Sequence, residues 1–307
     1  MQLVLIINDI AGHGKAKKLF SKLKKDLTVP YKVEHTKYVG HASEIADQYG
    51  QGGSHTCLLT IGGDGTIHEV ISGAASYDNL LVAVMNGGSG NDFGRAYPTF
   101  NNAQQIEQFI AQPSSQLKDL GTVYKQDEKI VFMNNCGFGI DAMVTRQVNL
   151  STAKKYFNKI ALGKLVYVWI LFRELYKFKT FRIEISMNGQ TYTYDNSYFV
   201  VVSNQPYFGG GMKVSPNSNT EDGMLELTVV NNIAKWRLLV VFASVFFGKH
   251  TKLKAVNQYQ CAAFDVKLSR DVIGHADGEY IGESVANEVI HYEVQEKGWR
   301  LAVNKLD

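Results

Sequence analysis

The chain is short of cysteine, of net charge and of long hydrophobic runs. Its three cysteines, Cys57, Cys136 and Cys261, stand far apart in apolar or strand-like surroundings. That spacing does not suit zinc and predicts buried free thiols in a reducing compartment. The most apolar stretches cover residues 165–172 and 238–247, well short of the roughly 20 residues that a membrane-spanning helix needs. No transmembrane helix is expected. No basic leader or small-residue cleavage site precedes the apolar run at residues 3–7, so no export signal is indicated. A net charge of +3 is too small to argue for nucleic acid. The local cluster Lys15, Lys17, Lys18, Lys22, Lys24 and Lys25 reads most simply as a solvated helix face, and otherwise as a surface attracted to anionic phosphates or membrane. There is no internal repeat and no stretch biased enough for a long disordered tail.

What is present is the composition of a globular protein, 45% hydrophobic and 20% charged over 307 residues, a length at which two domains are the natural expectation. Up to about residue 125, short apolar runs alternate with helical patterns through glycine-rich joints. Strands are expected over residues 3–7, 57–61 and 80–84. Helices are expected with Leu19, Phe20 and Leu23 on one face, with Ala42, Ile45, Ala46 and Tyr49 at i, i+3, i+4 and i+7, and with Ile67, Val70 and Ile71 together. This is α/β patterning, and an open parallel sheet gathers such joints at its carboxyl edge, where ligands bind. Beyond residue 125 the pattern turns β-rich. Residues 181–185, then Asn188-Gly189, then residues 191–194 predict a hairpin with a type I′ turn. Further strands are expected over 130–135, 198–203, 225–230, 263–268 and 289–294, with helix only over 153–178 and 234–248. The two domains are thus placed at 1–125 and 126–294, the second a β-sandwich, with residues from about 295 to 307 packing back on the first.

The chemistry concentrates at Gly62-Gly63-Asp64-Gly65-Thr66. Consecutive glycines let backbone N–H groups converge on phosphate oxygens while the following helix aims its positive end at them. A carboxylate inside such a cradle repels a phosphate unless a cation intervenes, so Asp64 implies Mg²⁺ held through water. The alternative is a tight strand-to-helix joint capped by Asp64. The segment Asn8-Asp9-Ile10-Ala11-Gly12-His13-Gly14-Lys15 repeats the logic without the ending of a Walker A loop, and Gly88-Ser89-Gly90-Asn91-Asp92 adds donors, a hydroxyl and a second carboxylate. From spacing alone, Asp277-Gly278-Glu279 reads as a solvated β-turn, and His68 and His275 lack a second metal ligand at helical spacing.

The cradle together with Gly90-Asn91-Asp92-Phe93-Gly94-Arg95-Ala96, Gly137-Phe138-Gly139-Ile140-Asp141-Ala142, Gly209-Gly210-Gly211-Met212, Glu221-Asp222-Gly223-Met224-Leu225 and Asp277-Gly278-Glu279 resembles the soluble bacterial diacylglycerol kinases. Their catalytic region is shared with the eukaryotic diacylglycerol, sphingosine and ceramide kinases, and the likeness runs over nearly the whole chain. The resemblance implies an N-terminal Rossmann-like parallel-sheet domain of the NAD kinase and phosphofructokinase kind followed by a β-sandwich. It implies transfer of a phosphoryl group from ATP, with Mg²⁺, to a lipid hydroxyl, diacylglycerol giving phosphatidate. A cytoplasmic protein touching the inner membrane face follows, one that could pair as a homodimer and has no use for nucleic acid.

Residue by residue, the resemblance places ATP contacts at Asn8, Asp9, Ile10, Ala11, Gly12 and Thr36, at Gly62, Gly63, Asp64, Gly65, Thr66, Ile67, His68 and Glu69, and at Ser89 and Asn91. Ser89 stands where many relatives have threonine, and Asp9 where they commonly have proline. Asp64, Asp92 and Asp119 match an acidic network holding the catalytic Mg²⁺ through water. Asn219, Asp222 and Met224 match a structural Mg²⁺ site, although residues 217–221 are more polar than usual there. Glu279 matches the proton acceptor, and Asp277 would orient it or the lipid hydroxyl. The lipid is expected in an apolar cleft between the domains. An NAD kinase-like or other small-molecule kinase, and a nucleotide-binding regulator without catalysis, are the competing readings.

Overall fold

The computed structural model describes residues 1–150 and 163–304; residues 153–162 of the helix expected over 153–178 lie outside them. The first half runs β1 (Gln2–Ile7), α1 (Ala11–Asp26), β2 (Lys32–His35), α2 (His41–Gln51), β3 (Thr56–Gly62), α3 (Asp64–Ala74), β4 (Leu80–Asn86), α4 (Phe93–Ala96) and α5 (Ala103–Ala111). Strands β2, β1, β3 and β4 lie side by side and parallel in that order. Their near-continuous apolar sequences suit a sheet covered on both faces. Leu3, Leu5 and Ile7 of β1 pack with Ala16 and Leu23 of α1 and with Ile106 and Phe109 of α5. Val4 and Ile6 point the other way, into Ala42 and Ile45 of α2 and Ile67 and Val70 of α3.

The second half contains β5 (Ser115–Lys125), β6 (Glu128–Phe132), β7 (Asn135–Gly139), α6 (Ile140–Leu150), α7 (Gly163–Lys177), β8 (Phe181–Met187), β9 (Gln190–Ser203), β10 (Tyr207–Phe208) and β11 (Met212–Lys213). It continues with β12 (Leu225–Asn231), α8 (Lys235–Val245), β13 (Val256–Cys261), β14 (Ala263–Leu268), β15 (Ile273–Ala276), β16 (Glu279–Glu283) and β17 (Val289–Ala302). The hairpin joining β8 to β9 turns at Asn188 (φ 49°) and Gly189 (φ 73°), as a type I′ turn requires. The far half of β9 is flanked by β7 and β12, and a single apolar core from Val123 to Tyr292 fills the sandwich. All three cysteines are free and buried.

Three expectations need correction. The strand expected over 130–135 is broken into β6 and β7, because the N–H groups of Met133, Asn134 and Asn135 all turn toward the Asp277 carboxylate instead of a neighbouring strand. Helix is not confined to the two expected segments, since α6 covers Ile140–Leu150. The strand expected over 289–294 runs on to Ala302. Its start pairs with β14 and its end lies parallel to β4 through Leu301 and Val82, while β5 accompanies it throughout. The two halves therefore share one continuous sheet rather than meeting through a flexible linker.

Candidate active site

The carboxyl ends of β1, β3 and β4 deliver three loops to one edge, and absent side chains let them interlock. Gly12, His13 and Gly14 all take positive φ, at 57°, 57° and 84°, so regular α1 geometry starts only after them. A Cβ on Gly12 would sit 2.2 Å from the Gly87 carbonyl oxygen, and one on Gly88 would sit 2.5 Å from the Gly63 Cα. These loops touch backbone to backbone. Gly87 N–H donates to Gly62 O at 2.8 Å, and Asn8 Nδ2 donates to Thr66 Oγ1 at 2.9 Å, tying the first loop to the start of α3. Thr36 N–H donates to Ile7 O at 2.9 Å, which sets Thr36 beside the same edge. Asp9 pairs with His35 at 2.8 Å, Ile10 is exposed, and Ala11 N–H closes back on Asn8 O at 3.0 Å. Ser89 and Asn91 are exposed at the rim, Asn91 with φ 60°. Ile67 is fully buried and Glu69 accepts the Ala42 N–H at 3.1 Å, so these two hold α3 and α2 in place rather than facing the cradle.

Asp64 and Asp92 are neighbours at this edge. Asp64 Oδ1 accepts the Phe93 N–H at 3.0 Å, and a Cβ on Gly90 would lie 2.5 Å from its Oδ2. Asp92 accepts from Arg95 at 3.0 Å and from the Gly210 N–H at 2.8 Å. Burial raises the Asp64 carboxyl above its ordinary value despite the Phe93 N–H and Arg95. Burial, with the charge of Asp64, pushes Asp92 up to about 6 although Gly210 and Arg95 pull it down. Two buried carboxylates resisting ionisation fit a divalent cation, which would reverse that balance. Asp119 is buried and accepts from a different set of backbone donors. Its oxygens accept the N–H groups of Gly223 at 2.9 Å and Lys297 at 2.8 Å. Among the described residues no group of three or more His, Cys, Asp and Glu side chains is placed to hold a metal ion, so other ligands at Asp64 and Asp92 would be water and phosphate.

The segment carrying Asn219, Asp222 and Met224 is closed by protein hydrogen bonds. Asp222 accepts from the Met224 N–H at 3.1 Å and from Gln260 at 3.0 Å, Asp119 holds Gly223, and Asn219 and Met224 are exposed.

Opposite the cradle, β15 and β16 turn at Asp277 (φ 49°) and Gly278 (φ 88°). The turn is as expected, but Asp277 is not solvated, its side chain being only 2% exposed. It accepts from Met133 and Asn134 at 2.7 Å, from Asn135 at 2.9 Å and from His68 Nδ1 at 2.6 Å. Burial opposes both charges in this pair, yet the hydrogen bonds and mutual attraction prevail: His68 is raised and Asp277 lowered from their ordinary values. Asp277 therefore has its acceptor sites engaged by protein donors. Glu279, exposed two residues later, reaches back so that its Oε1 lies 4.0 Å from where a Cβ on Gly65 would be. This carboxylate, with no hydrogen-bond partner among the described residues, thus faces the first turn of α3.

Beside it opens an almost wholly apolar pocket of about 760 Å³, its mouth included, enclosed by α6, α7, α8, β9 and β12 and lined by Val144, Leu171, Phe199, Leu238 and Val241 among others. It is contained in the second half of the chain, not in a cleft between the domains. Its rim residues Thr145 and Phe208 come within 3.7 and 3.8 Å of where a Cβ on Gly278 would lie. Sequence reading missed both, although Phe208 directly precedes Gly209-Gly210-Gly211, whose Gly210 grips Asp92. Arg95 and the buried pair His275 with Asp141, 3.0 Å apart, were likewise quoted in motifs without a role.

Residues 2–123 match the family model for the diacylglycerol kinase catalytic domain, and residues 134–294 that for the YegS C-terminal NAD kinase beta sandwich-like domain. The chain is 32% identical over 291 residues to the "Putative lipid kinase YtlR" of Bacillus subtilis, covering 90% of this chain and 93% of that one. The chain belongs to the diacylglycerol kinase family. A diacylglycerol kinase of Staphylococcus aureus is 28% identical over 238 residues, 76% of this chain and 71% of its own length. Among solved structures, a diacylglycerol kinase from Bacillus anthracis superposes with a TM-score of 0.69 at 19% identity, over 99% of this chain and 97% of the other. Yeast NADH kinase gives 0.52 at 10% identity, over 98% and 82%. These two likenesses show the fold: a parallel-sheet domain with a β-sandwich domain. As a member of the diacylglycerol kinase family the chain is a kinase, with interlocked glycine loops at the sheet edge and a sandwich beside it.

Proposed function

We propose that the chain transfers the γ-phosphoryl group of ATP to the hydroxyl of a membrane lipid, diacylglycerol being the acceptor and phosphatidate the product. The observation that carries this reading is the junction of three features: the glycine cradle, the free Glu279 carboxylate facing Gly65, and the apolar pocket whose rim touches Gly278. A pocket of this lining suits an acyl chain and offers little to a dinucleotide such as NAD. Gly12, Gly63, Gly65 and Thr66 would cradle the phosphates with backbone N–H groups and the positive end of α3, with Asn8 fixing Thr66.

Asp64 and Asp92 would hold Mg²⁺, which when bound neutralises charge developing on the transferred phosphoryl group. Glu279 would accept the proton of the attacking lipid hydroxyl, a contribution of roughly 10²–10⁴-fold for a well-placed base. His68 and Asp277 would fix the turn that carries Glu279.

The test offers purified protein labelled ATP and Mg²⁺ with diacylglycerol, other hydroxyl-bearing lipids in mixed micelles, and free NAD. Label in a lipid product, most strongly phosphatidate, is expected. Transfer to NAD and to no lipid would sink the proposal, and nucleotide binding without any transfer would favour a regulator.

A further inference from the structure

Helices α7 and α8 each bury one face against the pocket and leave the other uncovered. On α7, Leu171 lines the pocket while Trp169, Phe172 and Tyr176, at i, i+3 and i+7, are exposed. On α8, Leu238 and Val241 line it while Trp236 and Val240 are exposed, with Phe247 continuing their stripe beyond the helix end. The two stripes are joined. Lys235, at the start of α8, donates to the carbonyl oxygens of Tyr176 and Phe178 at 2.9 and 3.0 Å, so the start of α8, which carries Trp236, is tied to the end of α7, which carries Tyr176. These two side chains are 84% and 64% exposed, against the usual tendency of such large rings to be covered.

The charge around this patch has one sign. From Leu227 to Phe264 the sequence holds no aspartate or glutamate, yet it carries Lys235, Arg237, Lys249, Lys252 and Lys254. On the described turns of α7 the acid, Glu174, is buried and paired with Arg173. Arg173 and Arg237 sit over the rings of Trp169 and Trp236, 5.6 and 5.1 Å from their centroids. A second copy of the chain would bring the same positive charge to this face and be repelled. Indole and phenol rings among cations match the interfacial layer of an anionic bilayer.

We propose that the exposed faces of α7 and α8 are the surface by which the chain docks on an anionic phospholipid membrane, with the pocket they enclose set against the lipid layer. The inference deepens the lipid-kinase reading and rests on it for its purpose, but not for its observations. Docking through this face would let an acyl chain pass from the bilayer into the pocket without crossing water.

The experiment sediments the full chain with vesicles of phosphatidylcholine, with or without phosphatidylglycerol, and measures turnover separately on a short-chain, water-dispersed diacylglycerol. Wild type should bind vesicles containing phosphatidylglycerol and lose binding as salt rises. The double variant Tyr176→Glu with Trp236→Glu should bind at least tenfold more weakly at an unchanged melting temperature and with unchanged turnover of the short-chain substrate. Lys249→Glu should weaken binding by roughly fivefold or more, the worth of about one basic residue near such a surface. Undiminished vesicle binding by the double variant would overturn the proposal, as would loss of binding only on Lys22→Glu with Lys25→Glu in α1. Should vesicle binding depend on Tyr176 and Trp236 while no lipid is phosphorylated, the docking surface stands and the lipid-kinase reading falls.

Discussion

Replacing Asp277 separates support of the site from chemistry at it. The carboxylate accepts three consecutive backbone N–H groups, from Met133, Asn134 and Asn135, and one imidazole N–H from His68, all in surroundings where its side chain is 2% exposed. Hydrogen bonds to a charged group contribute about 1.5–3 kcal/mol each, and breaking one partner of a buried ion pair costs about 3–5 kcal/mol. Asp277→Ala should therefore destabilise the chain by about 4 kcal/mol, which lowers the melting temperature by roughly 6 °C in a chain of this length. Asp277→Asn retains one acceptor oxygen but turns an NH₂ group toward Met133 or His68, so about 2 kcal/mol is expected.

The loss carries a pH signature. His68 is raised in the folded chain, so its contribution is fully present below 6.5 and disappears as pH rises through the folded value. Asp277 is lowered, so its contribution is present above 3.8 and disappears as pH falls through the folded value. The deficit of Asp277→Asn relative to wild type should be largest between these limits and shrink at high pH. Thermal melts of both proteins across that range read it directly. Equal melting temperatures at every pH would refute the clamp.

The remaining predictions concern function. Glu279→Gln should lower kcat by roughly 10²–10⁴-fold with little change in the KM for ATP and none in melting temperature, since Glu279 is exposed; near-full activity would remove it as proton acceptor. Gly12→Ala must place a Cβ 2.2 Å from the Gly87 carbonyl at φ 57°, so ATP affinity should fall at least about tenfold, equivalent to some 1.4 kcal/mol of strain. Gly14→Ala meets nothing within 4 Å and should cost only the left-handed backbone penalty of about 1–2 kcal/mol in stability; equal ATP affinities in the two variants would contradict the interlocked loops. Asp92, raised to about 6, opposes folding as pH rises through that value unless a cation compensates. Mg²⁺ with a non-hydrolysable ATP analogue should accordingly raise the melting temperature more at pH 7.5 than at pH 5, and a gain independent of pH would exclude Asp92 from the cation site.

Much of the fold was legible because its signals are local. The continuous apolar run Leu3, Val4, Leu5, Ile6 and Ile7, the helical stripe Ala42, Ile45, Ala46, and the Asn188-Gly189 turn each follow from a few neighbouring residues. The break between β6 and β7 was not legible, since nothing near Met133 announces an acceptor 144 positions away. The return of residues from about 295 onward to the first domain was expected, but not that β17 would run on unbroken to make it: residues 295–302 pair with β5 and β4, and neither partner is adjacent in sequence. At the site, composition alone announced the glycine loops that the structure interlocks. The apolar pocket did not declare itself, because α6, α7, α8 and the sheet each supply residues that read as ordinary core.

The acids of the site show how such distant contacts make a chemical edge. Asp277 from the second half grips the β6–β7 break and His68 of α3; Asp92 from the first half grips Gly210 at the pocket rim; Asp119 grips Gly223 and Lys297. Each uses a carboxylate on backbone N–H groups of a remote segment, a stronger and more directional tie than apolar contact offers. Sequence alone cannot distinguish an acid that binds metal from one that binds backbone, since both are buried, isolated and flanked by glycine. Geometry divides them here. Asp277 has four protein donors on its carboxylate, Asp92 and Asp119 have one on each oxygen, and Glu279 has none among the described residues. The edge is thus tied together by acids that serve as clamps, and the acid left open to a substrate would be Glu279.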